Sequence, residues 1–176
     1  MSDVVKIVID ADVIIHFIKG ESLILLPQIF PKYKFVILDK LLNIELRNSK
    51  STRVYLDHFL HHFPKHITII PWEPNYEMTR ELSILMEKFG FGESLSMVYC
   101  KFHHDVIASS NIKDITDYCK ENDIQYITTM DFIWEAYTSK LMTEKECNTF
   151  LRLVVERDSK LPCTRITDFT PRQLFL

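Results

Sequence analysis

Five short runs rich in β-branched and aromatic residues alternate with longer stretches of helical periodicity, and that alternation leaves few folds open to the chain. The runs cover residues 4–9 (VVKIVI), 33–38, 66–70, 106–109 and 125–128. A near-continuous apolar run such as 4–9 suits a strand buried on both faces, the kind used in a parallel sheet. Between the runs, apolar residues recur at helical spacing: Met78, Leu82, Leu85, Met86 and Phe89 in one segment, Leu95, Val98, Tyr99 and Phe102 in the next. Further helices are expected over 13–19, stopping at Gly20; over 22–30, interrupted at Pro27; and over 40–48, carrying Glu45. Others are expected over 52–63, 112–120, 130–139 and 143–157, the last opened by a Thr143-x-x-Glu146 capping box. Strands alternating with helices predict an α/β fold, a parallel sheet of about five short strands flanked by helices on both faces.

With 176 residues and 47% hydrophobic content, the chain is long enough for one domain with a substantial core. That domain is expected over residues 1–157, followed by a tail over 158–176 of mixed polarity. The N-terminus, MSDVVKIVIDADVII, lacks the basic stretch and small-residue cleavage site of a signal peptide. No apolar run approaches the roughly 18 to 20 residues of a membrane span. The cysteines, Cys100, Cys119, Cys147 and Cys163, are scattered without a CxxC pair. A cytoplasmic location with reduced thiols and no membrane partner is the expectation. The net charge of −3, from 21 basic and 24 acidic residues, argues against tight sequence-independent binding to nucleic acid. It leaves room for an enzyme that touches a polyanion briefly through a local basic strip, such as Lys40, Arg47, Lys50 and Arg53; a solvated surface is the simpler reading of that cluster.

In a parallel sheet the reactive site lies at the carboxyl ends of the strands, which directs attention to the acids there. Asp10 ends the first run and Asp12 follows two residues on. Helix capping explains one of these aspartates well and two less well. Glu45 sits in an otherwise apolar stretch, LLNIEL, where a carboxylate needs a partner, a cation or a raised pKa unless it faces solvent. Glu93 follows Gly90-Phe91-Gly92, which uses two of the three glycines in the chain. Favourable charge at a helix start is one reading of Glu93; the concentration of backbone freedom beside it hints at a site. Ser109, Ser110, Asn111 and Asp114 follow the fourth run and read as a helix cap, a role compatible with site duty. Hard cations such as Mg²⁺ and Mn²⁺ favour oxygen donors of this kind.

Taken in order, VVKIVIDADVII, IEL around Glu45, GFGESLSMVYC around Glu93 and VIASSNIKDI around Asp114 resemble the PIN domain family of metal-dependent ribonucleases. The similarity spans about residues 4–157 and is nearest the subgroup with a Gly-Glu pair at the third acidic position. Each motif is short, and the order and strand context carry the specificity. The resemblance implies Mg²⁺ or Mn²⁺ held by Asp10, Glu45 and Glu93, and hydrolysis of RNA phosphodiesters by metal-activated water. It also implies that Ser109, Ser110 or Asp12 positions water or phosphate. The chain departs from the family where a fourth acid is usual: the neighbourhood reads Ser109-Ser110-Asn111, and the first carboxylate is Asp114, one helical turn later. Asp114, or Asn111 through its carbonyl oxygen, is the expected substitute, and weakened catalysis is the expected consequence. The family includes toxins silenced by an antitoxin protein, and many of its members pair as homodimers. A PIN-fold binding or regulatory module that no longer cuts is the alternative.

Other chemistries fit less well. The adjacent pairs His61-His62 and His103-His104 point about 100° apart on a helix, so neither pair is expected to chelate one zinc ion, and no His-x₃-His or cysteine partner is expected at ligand spacing. No nucleophile elbow or phosphate-binding P-loop is present. A haloacid-dehalogenase-like phosphatase would use Asp10 as nucleophile and Asp12 as acid/base. It also needs a late pair of aspartates after a strand, where the stretch ending at Asp131 offers one.

Overall fold

The computed structural model describes residues 5–47 and 49–174. Five strands, β1 (Lys6–Ile9), β2 (Lys34–Leu38), β3 (Thr68–Ile70), β4 (Val106–Ala108) and β5 (Tyr126–Ile127), form one sheet in the order β3-β2-β1-β4-β5. Every pairing is parallel, with Val8 beside Val36 on one side and beside Ile107 on the other. The five expected strands are therefore all present. Val4, the expected start of the first, and Asn48, the expected end of the 40–48 helix, lie outside the described residues, as do 175 and 176.

The helices are α1 (Ala11–Lys19), α2 (Leu26–Ile29), α3 (Asp39–Leu41), α4 (Lys50–His62) and α5 (Tyr76–Leu85), then α6 (Phe91–His103), α7 (Ile112–Glu121), α8 (Thr129–Thr138) and α9 (Glu144–Glu156). They cover both sheet faces. Phe35 of β2 meets Phe132 of α8 at 6.2 Å between ring centroids. Lys6 pairs in register with Lys34, the neighbour of Phe35, and so lies on the opposite face, where its ammonium sits 6.0 Å from the Tyr99 ring of α6. On the α8 side, Phe17, Phe30 and Phe35 pack on Phe132, and Phe150 packs on Phe17, in edge-on and tilted contacts, geometry that suits aromatic quadrupoles.

Several boundaries differ from expectation for local reasons. α1 begins at Ala11 rather than Val13, because Asp10 caps it. The 22–30 segment is a tight 3-10 turn at Leu23–Leu25 followed by one α turn with Pro27 near its start, a position where the missing N–H costs nothing. The 40–48 segment is α-helical only for α3 and then widens into a π turn over Leu42–Leu46, in which the Arg47 N–H reaches back to the Leu42 carbonyl at 3.1 Å. Residues 90–92 do not break the chain before a helix at Glu93: α6 already starts at Phe91. The Thr143/Glu146 capping box is present, and Thr128 with Asp131 forms a second one at α8.

The tail over 158–174 returns to the body. Ile166 is fully buried, its N–H bonds the Asn148 side chain at 2.8 Å, and Arg172 pairs with the buried Asp131 at 2.9 Å. Among the described residues no helix is long and apolar enough to cross a membrane, and all four cysteines are free.

Truncating Phe132, which is fully buried among these aromatic neighbours, removes the hub of this face. Phe132→Ala is expected to cost about 3–5 kcal/mol, read as a lower urea midpoint at unchanged slope. A loss under about 1 kcal/mol would show that the cluster repacks freely.

Candidate active site

The sheet order reverses between β1 and β4: from β1 the chain moves outward to β2 and β3, then returns to lay β4 on the other side of β1. Connections leaving those two adjacent strands part company, and the crevice between them is where open α/β sheets bind ligands. Asp10 follows β1 directly, and its N–H bonds the Ala108 carbonyl of β4 at 2.9 Å. Its side chain is 3% exposed and accepts the Ala11 N–H at 2.9 Å. Asp10 is thus both a helix cap and a buried acid at the switch point.

Asp12 joins the two sides of the crevice. One carboxylate oxygen accepts the Val13 N–H at 2.6 Å, and the other accepts the Ser110 N–H at 2.7 Å from the loop after β4. Glu45 arrives from the π turn and Glu93 from the first turn of α6. The Glu45 carboxylate lies against Gly92, where an added Cβ would stand 2.6 Å from both of its oxygens, and the Glu93 carboxylate folds back against Gly90. Gly92 therefore supplies room rather than an unusual backbone angle; no described glycine has positive φ. Asn111 donates its amide N–H groups to Glu93 at 2.7 Å and to Asp114 at 2.5 Å. It occupies the cap position of α7 without capping it through its side chain. Asp114 is tied to the cluster through that amide.

The electrostatics follow from burying like charges together. Burial holds the Asp10 carboxyl well above its usual range, with further upward pressure from Asp12, Glu93 and Glu45, while the Ala11 bond opposes them. Burial also raises Asp12, to about 6, against the bonds from Ser110 and Val13 and with Glu93 adding to the rise. Glu45 is raised by burial, opposed by a bond from the Gly92 backbone and reinforced by Glu93. Asp10 therefore feels Asp12, Glu45 and Glu93, and Glu93 acts on Asp12 and Glu45 as well.

Sequence reasoning missed the layer beneath. The Ser110 hydroxyl donates to Thr129 Oγ1 at 2.8 Å and accepts the Thr129 N–H at 2.9 Å. The same Thr129 oxygen meets His16 Nδ1 at 2.8 Å. Burial lowers His16 to about 4, with Lys19 adding to the effect, so its imidazole is neutral at physiological pH. Thr128-Thr129 at the end of a strand was the available signal. Ser109, expected to face water or phosphate, is fully buried, and its hydroxyl accepts the Asn111 N–H at 3.3 Å. Asp131 caps α8 and pairs with Arg172, so it is not free to serve as the late aspartate of a phosphatase. Of the basic cluster, Arg47 is engaged with Asp57 and Asn43, while Lys40, Lys50 and Arg53 are exposed.

In kind, this donor set suits a hard divalent cation: carboxylate oxygens from separate elements, whose mutual repulsion a cation would relieve. As the side chains stand, no three His, Cys, Asp or Glu groups among the described residues close around a metal position. Asp10, Asp12 and Glu93 are instead turned toward Ala11, Ser110 and Asn111, and coordination requires side-chain rotation away from those donors. Compared with models of known protein families the chain matches none, and no curated protein matches it.

An aspartate in the unfolded chain titrates at about 3.9, whereas Asp12 in the folded protein does so at about 6. Between those values the folded state holds more protons, so in chelator its stability falls as pH rises through that window. Asp12→Asn removes the titrating group and is expected to flatten the fall, while the loss of one of its two accepted backbone bonds lowers stability across the range. Urea titrations from pH 4 to pH 8 check this, and a wild-type stability that climbs over the same window contradicts the assignment.

Proposed function

We infer that the chain is a divalent-metal-dependent ribonuclease of the PIN type. The observation that carries this reading is the convergence of Asp10, Asp12, Glu45 and Glu93 at the switch point of a parallel sheet, where each of the other three raises the Asp10 carboxyl. Keeping three half-buried carboxylates around the buried Asp10 opposes folding unless a ligand makes use of them. Asp10, Glu45 and Glu93 are the proposed ligands of Mg²⁺ or Mn²⁺, with Asp114 brought in through Asn111. A cation bound there supplies Lewis-acid activation of water and charge stabilisation at the phosphodiester. Asp12 and Ser110 hold the β1 and β4 ends in register, and the Ser110–Thr129–His16 chain fixes the loop from below. Exposed Lys40, Lys50 and Arg53 are candidates for contacting the RNA backbone. The proposed setting is cytoplasmic, with an antitoxin-like protein as regulator and a homodimer as the working form.

A second reading has its own support. Asn111 occupies the region where the family carries a fourth acid, and its amide holds Glu93 and Asp114 to itself. A PIN-fold module with weakened or lost catalysis would look this way.

Cleavage of a mixed RNA pool by the purified chain, in Mg²⁺, Mn²⁺ and chelator, separates the two. Cutting is expected with metal and not with chelator, and Asp10→Asn and Glu93→Gln are each expected to lower it about 10³-fold or more. Asp114→Asn is expected to cost about tenfold. Full activity in both pure Asp10 and Glu93 variants sinks the proposed site. No cutting with either metal, on any RNA offered, supports the non-cutting module.

A further inference from the structure

Helix α4 ends in a histidine-rich turn that the carboxylate site does not use. The expectation that no His-x₃-His pair lies at ligand spacing is overturned here: His58 stands four residues before His62, the spacing that puts two side chains on one helix face. Their rings stack with centroids 4.1 Å apart and planes 28° from parallel, and both residues are exposed. His62 Nδ1 lies 2.9 Å from the His58 carbonyl oxygen. A carbonyl only accepts, so Nδ1 carries the hydrogen, and in the neutral ring the lone pair is left on Nε2. Metal-binding imidazoles are held in this way, with one ring nitrogen donating to a carbonyl and the other free to ligate.

We propose that His58 and His62 form a two-imidazole chelate for a borderline transition cation of the Zn²⁺, Ni²⁺ or Cu²⁺ class, separate from the carboxylate site. Two nitrogens about 2.0–2.1 Å from a tetrahedral ion stand about 3.4 Å apart. Rings stacked 28° from parallel send their in-plane lone pairs out side by side, so chelation requires the planes to open toward a right angle, a rotation that exposed side chains are free to make. His61 is turned edge-on to His62, 79° between planes, and points elsewhere around the helix, so it is not one of the pair. No third His, Cys, Asp or Glu among the described residues closes a cage, so water completes the coordination and the ion exchanges. Ligand type separates the sites: imidazole favours Zn²⁺, Ni²⁺ and Cu²⁺, whereas carboxylates favour Mg²⁺ and Mn²⁺.

The test is calorimetric titration of the full chain with Zn²⁺ in excess Mg²⁺, alongside Cu²⁺ electron paramagnetic resonance of the wild type. His58→Ala and His62→Ala are each expected to weaken one Zn²⁺ site about tenfold or more, because each removes half of a chelate. His61→Ala is expected to leave that site within about threefold. The Cu²⁺ spectrum is expected to carry hyperfine splitting from two nitrogens, a readout that needs no variant to fold. Zn²⁺ binding unchanged in both His58→Ala and His62→Ala, or a Cu²⁺ spectrum without nitrogen coupling, overturns the proposal. Equal losses in all three variants overturn the choice of ligands.

Discussion

The candidate site depends on β1 being paired in parallel on both sides, with β2 through Ile7 and Phe35 and with β4 through Val8 and Ile107. A strand so placed is apolar on both faces, and Ile7, Val8 and Ile9 are fully buried. The residue that follows emerges between two diverging loops. Asp10 therefore has its N–H held by the Ala108 carbonyl and its carboxylate by the Ala11 N–H at the start of α1, and little freedom to move toward solvent. Asp12 then bonds Ser110 across the gap, so the two sides of the crevice hold one another at the point where the carboxylates gather.

Bringing Glu45 and Glu93 to that point takes two local departures from regular structure. The π turn over Leu42–Leu46 widens the helix that carries Glu45; such turns recur at functional sites. Gly92, one residue before Glu93, leaves the space into which the Glu45 carboxylate fits. Both features cost regularity, although the π turn also buries Leu42 and Leu46 in the core. The rest of the domain, with its aromatic cluster around Phe132, two capping boxes and the returning tail, offsets that cost. Proteins commonly break local rules where a site is and compensate elsewhere.

Much of this was legible in the chain because it depends on local pattern. The β-branched runs become strands since period and composition suit a pleated surface buried on both sides, and Thr143-x-x-Glu146 becomes a cap because its partners are three residues apart. Legibility ended where partners are distant in sequence. Asn111 looked like a helix cap, but its amide is drawn to Glu93, eighteen residues earlier. His16 and Thr129, separated by more than a hundred residues, gave no shared signal before folding joined them. Ser109 looked available to a substrate because a serine after a strand faces either way, and packing turned it inward.

By itself, the sequence determined the α/β class, the parallel sheet and the placement of acids at strand and helix ends, because periodicity, capping and chain reversal act over a few residues. Only the tertiary structure decided which acids feel one another, that Gly92 matters for space rather than backbone angle, and that Asp114 reaches the cluster through Asn111. Those outcomes depend on strand order and helix docking, through-space relations that spacing along the chain does not encode.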